Sequence, residues 1–384
     1  MNALQLTKQL VAFVSPSHVS NVEVSNFIAD RLRILGFDLE MVEYQDDRGV
    51  SKVNVVGRKG PNNDNNDQPG LAYFCHSDVV PAETWTGPGE AFVATEHEGR
   101  LYGRGSCDMK GSAACMMTAV ERLQDETLQA PLYFVCNADE EVSYGGAKQL
   151  VAKSQIYRDM VQRQTRALIG EPTELSVVNG HKGICKLVIV SHGEAAHSAT
   201  RAGRNANVEM IPFLQDLKAI YDVTENDTNW QNADFDPPTL SLNIGLNDHN
   251  HAINVKSAQS ICTVFFRPLP NVDDSPLIER ISQAAVQHGL EFTMPSRCDA
   301  VWTSVDNSFV RESLEIAAED TAKTVCYGTD GGELTELENK IVCGPGSIEQ
   351  AHKSDEWIDW QQLDAGTDLY EKFVRRWCLW MPTR

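Results

Sequence analysis

The sequence predicts an α/β protein: a mostly parallel, doubly wound sheet domain carrying an inserted β-α-β-β-α-β unit of ferredoxin-like type. Three observations point there. Up to about residue 180, short apolar runs alternate with helical patterns, the rhythm of βαβ crossovers. From Lys182 the order changes to strand, helix, two strands, helix, strand. Beyond about residue 295 the first pattern resumes, which assigns residues 1–180 and 295–384 to one discontinuous domain and 181–294 to the insert.

Taken in order, residues 4 to 36 carry helical spacing (Leu4, Leu10, Val11, Phe13, then Phe27, Ile28, Leu32, Leu35) and stop at Gly36, a helix-ending residue. Gly60 to Gly70, rich in Asn, Asp, Pro and Gly, reads as a surface loop between two strands. Then follow a strand Leu71–Cys75, a helix Met109–Leu123, a strand Leu132–Ala138, a helix Gly146–Lys153 and a strand Ala167–Ile169. The insert reads as strand Leu187–Val190, helix Asn207–Ile220, strands Thr239–Gly245 and Ser260–Arg267, helix Pro276–His288 and strand Glu291–Thr293. Helix Ser308–Thr321, strand Ile341–Gly344 and helix Trp360–Trp377 return to the large domain.

Composition narrows the function. At 384 residues the chain can bury a core without disulfide or metal staples. With 33 Lys+Arg against 54 Asp+Glu, a formal net charge of -21 repels phosphate backbones and anionic lipid, so neither nucleic acid nor a membrane surface is an expected partner. No apolar run reaches the ~20 residues of a bilayer span, and Met1 to Pro16 lacks a secretory pattern. The ten cysteines are scattered, never as CxxC, and several lie in apolar runs, as expected of buried thiols in a reducing cytoplasm.

The chemistry-bearing residues share one position: each group stands just after an apolar run. His76 and Asp78 follow Leu71–Cys75, Asp139-Glu140-Glu141 follows Leu132–Ala138, Glu171 follows Ala167–Gly170, and His352 lies beyond Ile341–Gly344. In an open α/β sheet the carboxyl ends of strands form one rim where ligands bind, so these segments converge. Asp108 opens the Met109 helix within the glycine-rich turn Gly103–Gly111. Taken singly, each has a plain structural reading: a hydrogen-bonded His-x-Asp pair, a solvated acidic turn, a helix cap. Together, His76, Asp108, Glu141, Glu171 and His352 supply the His/carboxylate inventory of a two-zinc site with a bridging aspartate.

The segments His76–Pro81, Gly103–Gly111, Ala138–Glu141, Gly170–Thr173 and Gly344–His352 resemble the di-zinc amidohydrolases that include aminoacylase, carboxypeptidase G, succinyl-diaminopimelate desuccinylase and acetylornithine deacetylase. Gly344–His352, Asp355-Glu356 and Arg267–Pro270 are most similar to the branch acting on N2-acetylornithine. The resemblance implies two Zn²⁺ per chain, with Co²⁺ as a substitute, held by His76, Asp108 and Glu171 on one side and by His352, Glu141 and the shared Asp108 on the other. It makes Glu140 the general acid/base for a metal-bridging hydroxide, and it makes Asp78 the carboxylate that orients His76 through the other ring N–H. It gives His197 a role at the oxyanion and Arg267 and Asn254 a role in substrate binding, and Thr329, Asp330, Gly344 and Gly346 are further substrate-binding candidates. The insert becomes a dimerisation and lid domain of a homodimer, whose helix offers Val208, Ile211, Leu214, Leu217 and Ile220 to a core and a contact.

Two stretches depart from that branch: Thr200-Arg201 replaces an Asp-Pro pair, and Asp330–Glu333 replaces a Glu-Ala-Pro stretch. Asp330 or Glu333 is accordingly expected to meet a distal substrate ammonium. The function expected is removal of the acetyl group from N2-acetyl-L-ornithine. Deacylation of another N-acyl amino acid (acetylcitrulline, succinyl-diaminopimelate), dipeptide hydrolysis and a catalytically silent binding relative are the alternatives. A serine or cysteine hydrolase fits less well, since Gly346-Ser347 lacks a nucleophile-elbow context.

Overall fold

The computed structural model describes residues 1–61 and 68–379, so positions 62–67 of the Gly60–Gly70 loop lie outside the described residues. The chain divides into a large unit, Met1–Gly180 with Trp302–Lys323 and Thr329–Arg384, and a small unit, His181–Val301 with Thr324–Gly328. The small unit passes the boundary read at 294/295 because its last strand, Glu291–Cys298, is longer than the apolar run Glu291–Thr293. No helix among the described residues is long and apolar enough to cross a membrane.

In the large unit the sheet runs Asp38–Gln45, Ser51–Lys59, Leu132–Asn137, Leu71–His76, Arg166–Ile169, Lys340–Val342, Val178–His181. Its centre is parallel: Leu71–His76 pairs in parallel with both Leu132–Asn137 and Arg166–Ile169, which pairs in parallel with Lys340–Val342. The first two strands are antiparallel to each other, and the second is antiparallel to Leu132–Asn137. Strand residues alternate between faces. Tyr73, Cys75, Phe134 and Cys136 join the core formed with helices Ala3–Val11, Val22–Ile34, Gly111–Arg122 and Trp360–Val374. Tyr133 points the other way, donating its hydroxyl to Asp159 on helix Gln155–Gln162. Both faces are therefore covered, which explains why the central strands read as unbroken apolar runs. Truncating one such side chain, Phe134→Ala, costs roughly 3–5 kcal/mol by the usual cavity arithmetic.

Local chemistry sets the helix limits. Ala3–Val11 starts at a capping box in which Asn2 accepts from Gln5 N at 2.9 Å, and it buries Ala3, Leu6, Thr7, Leu10 and Val11 on one stripe. Gly36, at φ +82°, ends the next helix as expected. The helix expected from Met109 begins at Gly111, because Asp108 (φ -119°, ψ 94°) and Met109 (φ -133°, ψ 33°) leave the helical region.

The small unit runs strand Ile184–His192, helix Ala206–Asn226, strands Asn243–Asn247 and Gln259–Phe266, helix Ser275–Gln287 and strand Glu291–Cys298, the β-α-β-β-α-β order. Its antiparallel sheet has the spatial order Asn243–Asn247, Gln259–Phe266, Ile184–His192, Glu291–Cys298, that is second, third, first and fourth in the chain. Cys185, Leu187 and Ile189 alternate inward with Cys262, Val264 and Phe266, facing Met210, Phe213, Leu217, Leu277 and Ile281 from the two helices. Val208 and Ile211 on the first helix stay 58% and 51% exposed. The strand expected over Thr239–Gly245 is shifted to Asn243–Asn247. Ser241, at φ +52°, leaves the extended region and breaks the expected run, while the buried Lys182 ammonium donates to the carbonyls of Pro237 and Thr239.

Candidate metal centre

The four parallel strands bring their carboxyl ends to one rim. His76 closes Leu71–His76 at the level of Asn137 on the neighbouring strand. That neighbour turns at Asp139, a non-glycine residue at φ +56°, into the short helix Glu140–Ser143. The conformation is strained and held: Asp139 meets the buried Lys52 ammonium at 2.7 Å and accepts from Tyr44 Oη at 2.9 Å. Glu171 follows Arg166–Ile169. Gly344 follows Lys340–Val342, where a Cβ would stand 2.2 Å from Gly170 O, so only glycine lets the two strand exits touch. From there the chain reaches His352.

Asp108 lies between the two histidines. His76 Nε2 stands 3.1 Å from Asp108 Oδ1, and His352 Nε2 stands 3.4 Å from Asp108 Oδ2. Each histidine has a second carboxylate: Glu171 Oε1 lies 3.6 Å from His76 Nε2, and Glu141 Oε2 lies 2.8 Å from His352 Nε2. Ligand atoms of His76, Asp108 and Glu141 lie within 4.8 Å of one another, as do those of His76, Glu140 and Glu171. Glu140 thus borders the His76 side.

The electrostatics record the crowding. Burial, then the charge of Glu171, pushes Glu140 well above the carboxylate range, and burial with the charge of Asp108 does the same to Glu171. Burial and Asp108 push Glu141 up to about 7. Asp108 goes the other way: burial opposes its charge, but hydrogen bonds from His352 and His76 hold it below the usual range. His352 is raised to about 10 by its bonds to Asp108 and Glu141. His76 is raised as well, burial being outweighed by Asp108, Glu171 and Glu140. Glu141 Oε1 is buried without a hydrogen-bond partner. Two imidazoles, a two-faced aspartate, crowded glutamates and an orphaned oxygen are a donor set that fits two divalent cations.

Asp78 is placed differently from the expectation. Its carboxylate lies 3.8 Å from His76 Nδ1, and the ring N–H is donated instead to the backbone carbonyl of Asp78 at 2.8 Å. The carboxylate accepts from Ser17 Oγ at 2.7 Å and from the backbone N–H groups of Glu140 and Glu141 at 3.2 and 3.4 Å. The main-chain carbonyl two residues on takes the ring N–H, which frees the carboxylate of the same residue to cap the acidic turn.

Asp330, one of the two acids expected to meet a distal ammonium, is as buried as His76, Asp108 and Glu171. It is 3% exposed, accepts from Asn137 Nδ2 at 2.7 Å, keeps its Oδ1 buried without a hydrogen-bond partner, and is pushed by burial up to about 7. Glu333 stands 3.6 Å from Lys148. Thr329, Gly344 and Gly346 are buried, and the Thr329 hydroxyl accepts from Gly331 N. In the small unit His197 and Asn254 are exposed on adjoining loops, with Ser198 N donating to Asn254 O at 2.9 Å. Half-buried Arg267 stacks 5.1 Å from the Phe265 ring centroid. Sequence reasoning missed Lys52, Tyr44 and Ser17, whose partners are distant in the chain, and it noted Glu356 only as part of the resemblance.

Fold and site together define a metal-dependent hydrolase built on a doubly wound α/β sheet. The profile of Peptidase family M20/M25/M40 matches residues 72–376, and the chain belongs to that family. An acetylornithine deacetylase from Myxococcus xanthus is 34% identical over 381 residues, covering 96% of this chain and 96% of its own. Among solved structures, the M20 metallo-carboxypeptidase Sso-CP2 from Sulfolobus solfataricus superposes with a TM-score of 0.74 at 17% identity, covering 98% of this chain and 99% of its own. The YXEP protein of Bacillus subtilis, described as a dinuclear metal-binding peptidase, gives a TM-score of 0.65 at 14% identity over 97% of this chain and 96% of its own.

Proposed function

We propose that the protein is a dinuclear zinc deacetylase of N2-acetyl-L-ornithine, serving arginine biosynthesis in the cytoplasm. One observation carries the reaction class: the two oxygens of Asp108 face two histidines, each with its own further carboxylate. The substrate rests on the 34% identical deacetylase, matched across 96% of both chains.

His76, Glu171 and Asp108 would hold one zinc and His352, Glu141 and Asp108 the other. When bound, the pair supplies Lewis acidity at the acyl oxygen and lowers the pKa of water. Glu140, on the His76 side and above the usual carboxylate range, takes the proton of the attacking water and returns it to the departing amine. His76 keeps its Nε2 turned to the site because Nδ1 is spent on the Asp78 carbonyl. His197 donates to the oxyanion at the acyl carbon, and Arg267 with Asn254 binds the substrate carboxylate. The small unit, with exposed Val208 and Ile211 on one helix, forms the homodimer contact. Asp330, whose Oδ1 has no hydrogen-bond partner, or Glu333 receives the distal ammonium of the substrate.

The test is a substrate panel. Zinc-reconstituted protein is assayed on N-acetyl amino acids, N-succinyl-diaminopimelate and dipeptides, and kcat/KM should be highest for N2-acetyl-L-ornithine. A higher value for a dipeptide or another N-acyl amino acid replaces the substrate assignment, and silence on all marks a binding protein.

A further inference from the structure

Glu356 collects four donors on one carboxylate. Its Oε1 accepts from the backbone N–H of Cys107 at 2.9 Å and of Asp108 at 3.0 Å. Its Oε2 accepts from the backbone N–H of Gly105 at 2.9 Å and from Arg104 Nη1 at 2.8 Å. Glu356 is 1% exposed and Arg104 2% exposed. The main chain is pinned beside it: Gly103 N donates to Glu356 O at 3.1 Å, and Trp357–Asp359 pairs with Arg100–Tyr102. Arg104 is held in turn by Pro81 O at 3.3 Å and lies 5.9 Å from the Trp85 ring centroid.

A neutral acceptor could not meet these demands. Three converging N–H groups and a guanidinium need two oxygens carrying a full negative charge. The location is unfavourable for one more acid, because the Asp108 carboxylate already lies among Glu141 and Glu171, and a buried ion pair repays its desolvation poorly. What the carboxylate gains is geometry. Asp108 and His352 are far apart in the chain, and Glu356, four residues after His352, ties the His352 segment to the loop that presents Asp108.

We propose that Glu356 is the positioning residue of Asp108, fixing the Gly105–Asp108 backbone so that the two Asp108 oxygens stand between His76 and His352. The inference rests on the metal-centre reading above and deepens it.

The test uses the full chain, its Glu356→Gln variant and the charge-retaining but shorter Glu356→Asp. Zn²⁺ and Co²⁺ binding are followed by calorimetry, the Co²⁺ complex by visible absorption, and the Gly103–Lys110 amides of metal-free protein by hydrogen exchange. With Glu356→Gln one of the two donor pairs, Gly105 with Arg104 or Cys107 with Asp108, meets an amide NH₂. We expect faster exchange across Gly105–Asp108, both metal affinities down about 10–100-fold, the range for groups supporting ligands, and an altered Co²⁺ spectrum. We also expect lower kcat with KM within about twofold, and Glu356→Asp intermediate throughout. A folded Glu356→Gln with parental exchange, affinity and spectrum overturns the proposal even if its Tm falls. Failure of both variants to fold makes Glu356 a purely structural residue and overturns it too. Parent protein that takes up no metal sinks the metal-centre reading instead, and the exchange data still decide whether Glu356 holds the loop.

Discussion

The Asp78 carboxylate lies 3.2 Å from the backbone nitrogen of Glu140, closer than its 3.8 Å from the His76 ring. One residue thus serves two neighbours by different atoms: its carbonyl fixes the His76 tautomer and its carboxylate caps the turn carrying Glu140 and Glu141. Asp78→Ala should therefore keep the imidazole oriented and lose the cap, at roughly 0.5–2 kcal/mol of stability. We expect kcat to fall at least about tenfold with zinc affinity changed less than about threefold. Calorimetry decides it: an affinity loss of about 10–100-fold, the range for removing a partner of a ligating imidazole, would restore the expected carboxylate–imidazole role.

Metal stoichiometry tests the shared aspartate. Loaded protein should contain two zinc ions per chain by elemental analysis. Asp108→Ala should weaken both sites, because each Asp108 oxygen faces a different histidine, whereas Glu171→Ala should weaken the His76 side alone. Full activity at one metal per chain refutes the two-site assignment.

Much of this site was legible in the sequence for a mechanical reason. His76 ends, and Glu140, Glu141 and Glu171 follow, a strand buried on both faces, so an unbroken apolar run marks the strand and the residues after it mark the rim. The six-residue linear order of Cys107 to Ser112 could not show that Asp108 and Met109 leave the helix. Nor could His76-x-Asp78 show whether the carboxylate or the carbonyl turns back, since both reach by spacing alone. Glu356 meets Asp108 across 248 residues, and Lys52 meets Asp139 across strands that no local pattern pairs. The three-stranded sheet of Thr95–His97, Arg100–Tyr102 and Trp357–Asp359 was missed because three-residue strands carry too little periodicity.

Glu140→Gln removes the proton carrier and leaves the candidate ligands in place. Turnover should drop ~10²–10⁴-fold, the contribution of general acid–base catalysis, while both zinc ions remain. Metal content and kcat measured on the same preparation separate the two effects. Near-parental turnover would move the proton transfer to another group, and loss of one zinc would make Glu140 a ligand beside His76 and Glu171.

The stability of metal-stripped protein should fall as pH rises. A group whose folded pKa is raised stabilises fully below its unfolded pKa, and that contribution disappears as pH climbs through the folded value. Glu141 spans 4.5 to about 7 in this sense, with Glu140 and Glu171 shifted the same way, and His352 continues it from 6.5 to about 10. Asp108 has the opposite sign, but its window lies below 3.8. Tm of chelator-treated protein should therefore decline by several degrees between about pH 5 and pH 8. Zinc should flatten or reverse the slope, because it binds the deprotonated ligands. A parallel decline with and without zinc would place the effect in the general charge of -21 and not in the cluster.

His197 provides the test of how the small unit takes part. It is exposed, its loop is tied by Ser198 N to Asn254 O, and its Nδ1 accepts from Ala199 N at 3.2 Å, which leaves Nε2 as the donor. A donor that acts on the oxyanion contributes only in the transition state, worth about 10²–10³-fold in turnover. His197→Ala should fold, bind two zinc ions and lose kcat on that scale with little change in KM. If donation crosses the homodimer, mixing this variant with Glu140→Gln should recover activity. Some mixed dimers then hold one site with Glu140 from one chain and His197 from the other. No recovery despite demonstrated subunit exchange assigns the donation to a single chain, and an unchanged kcat in His197→Ala removes the residue from the reaction.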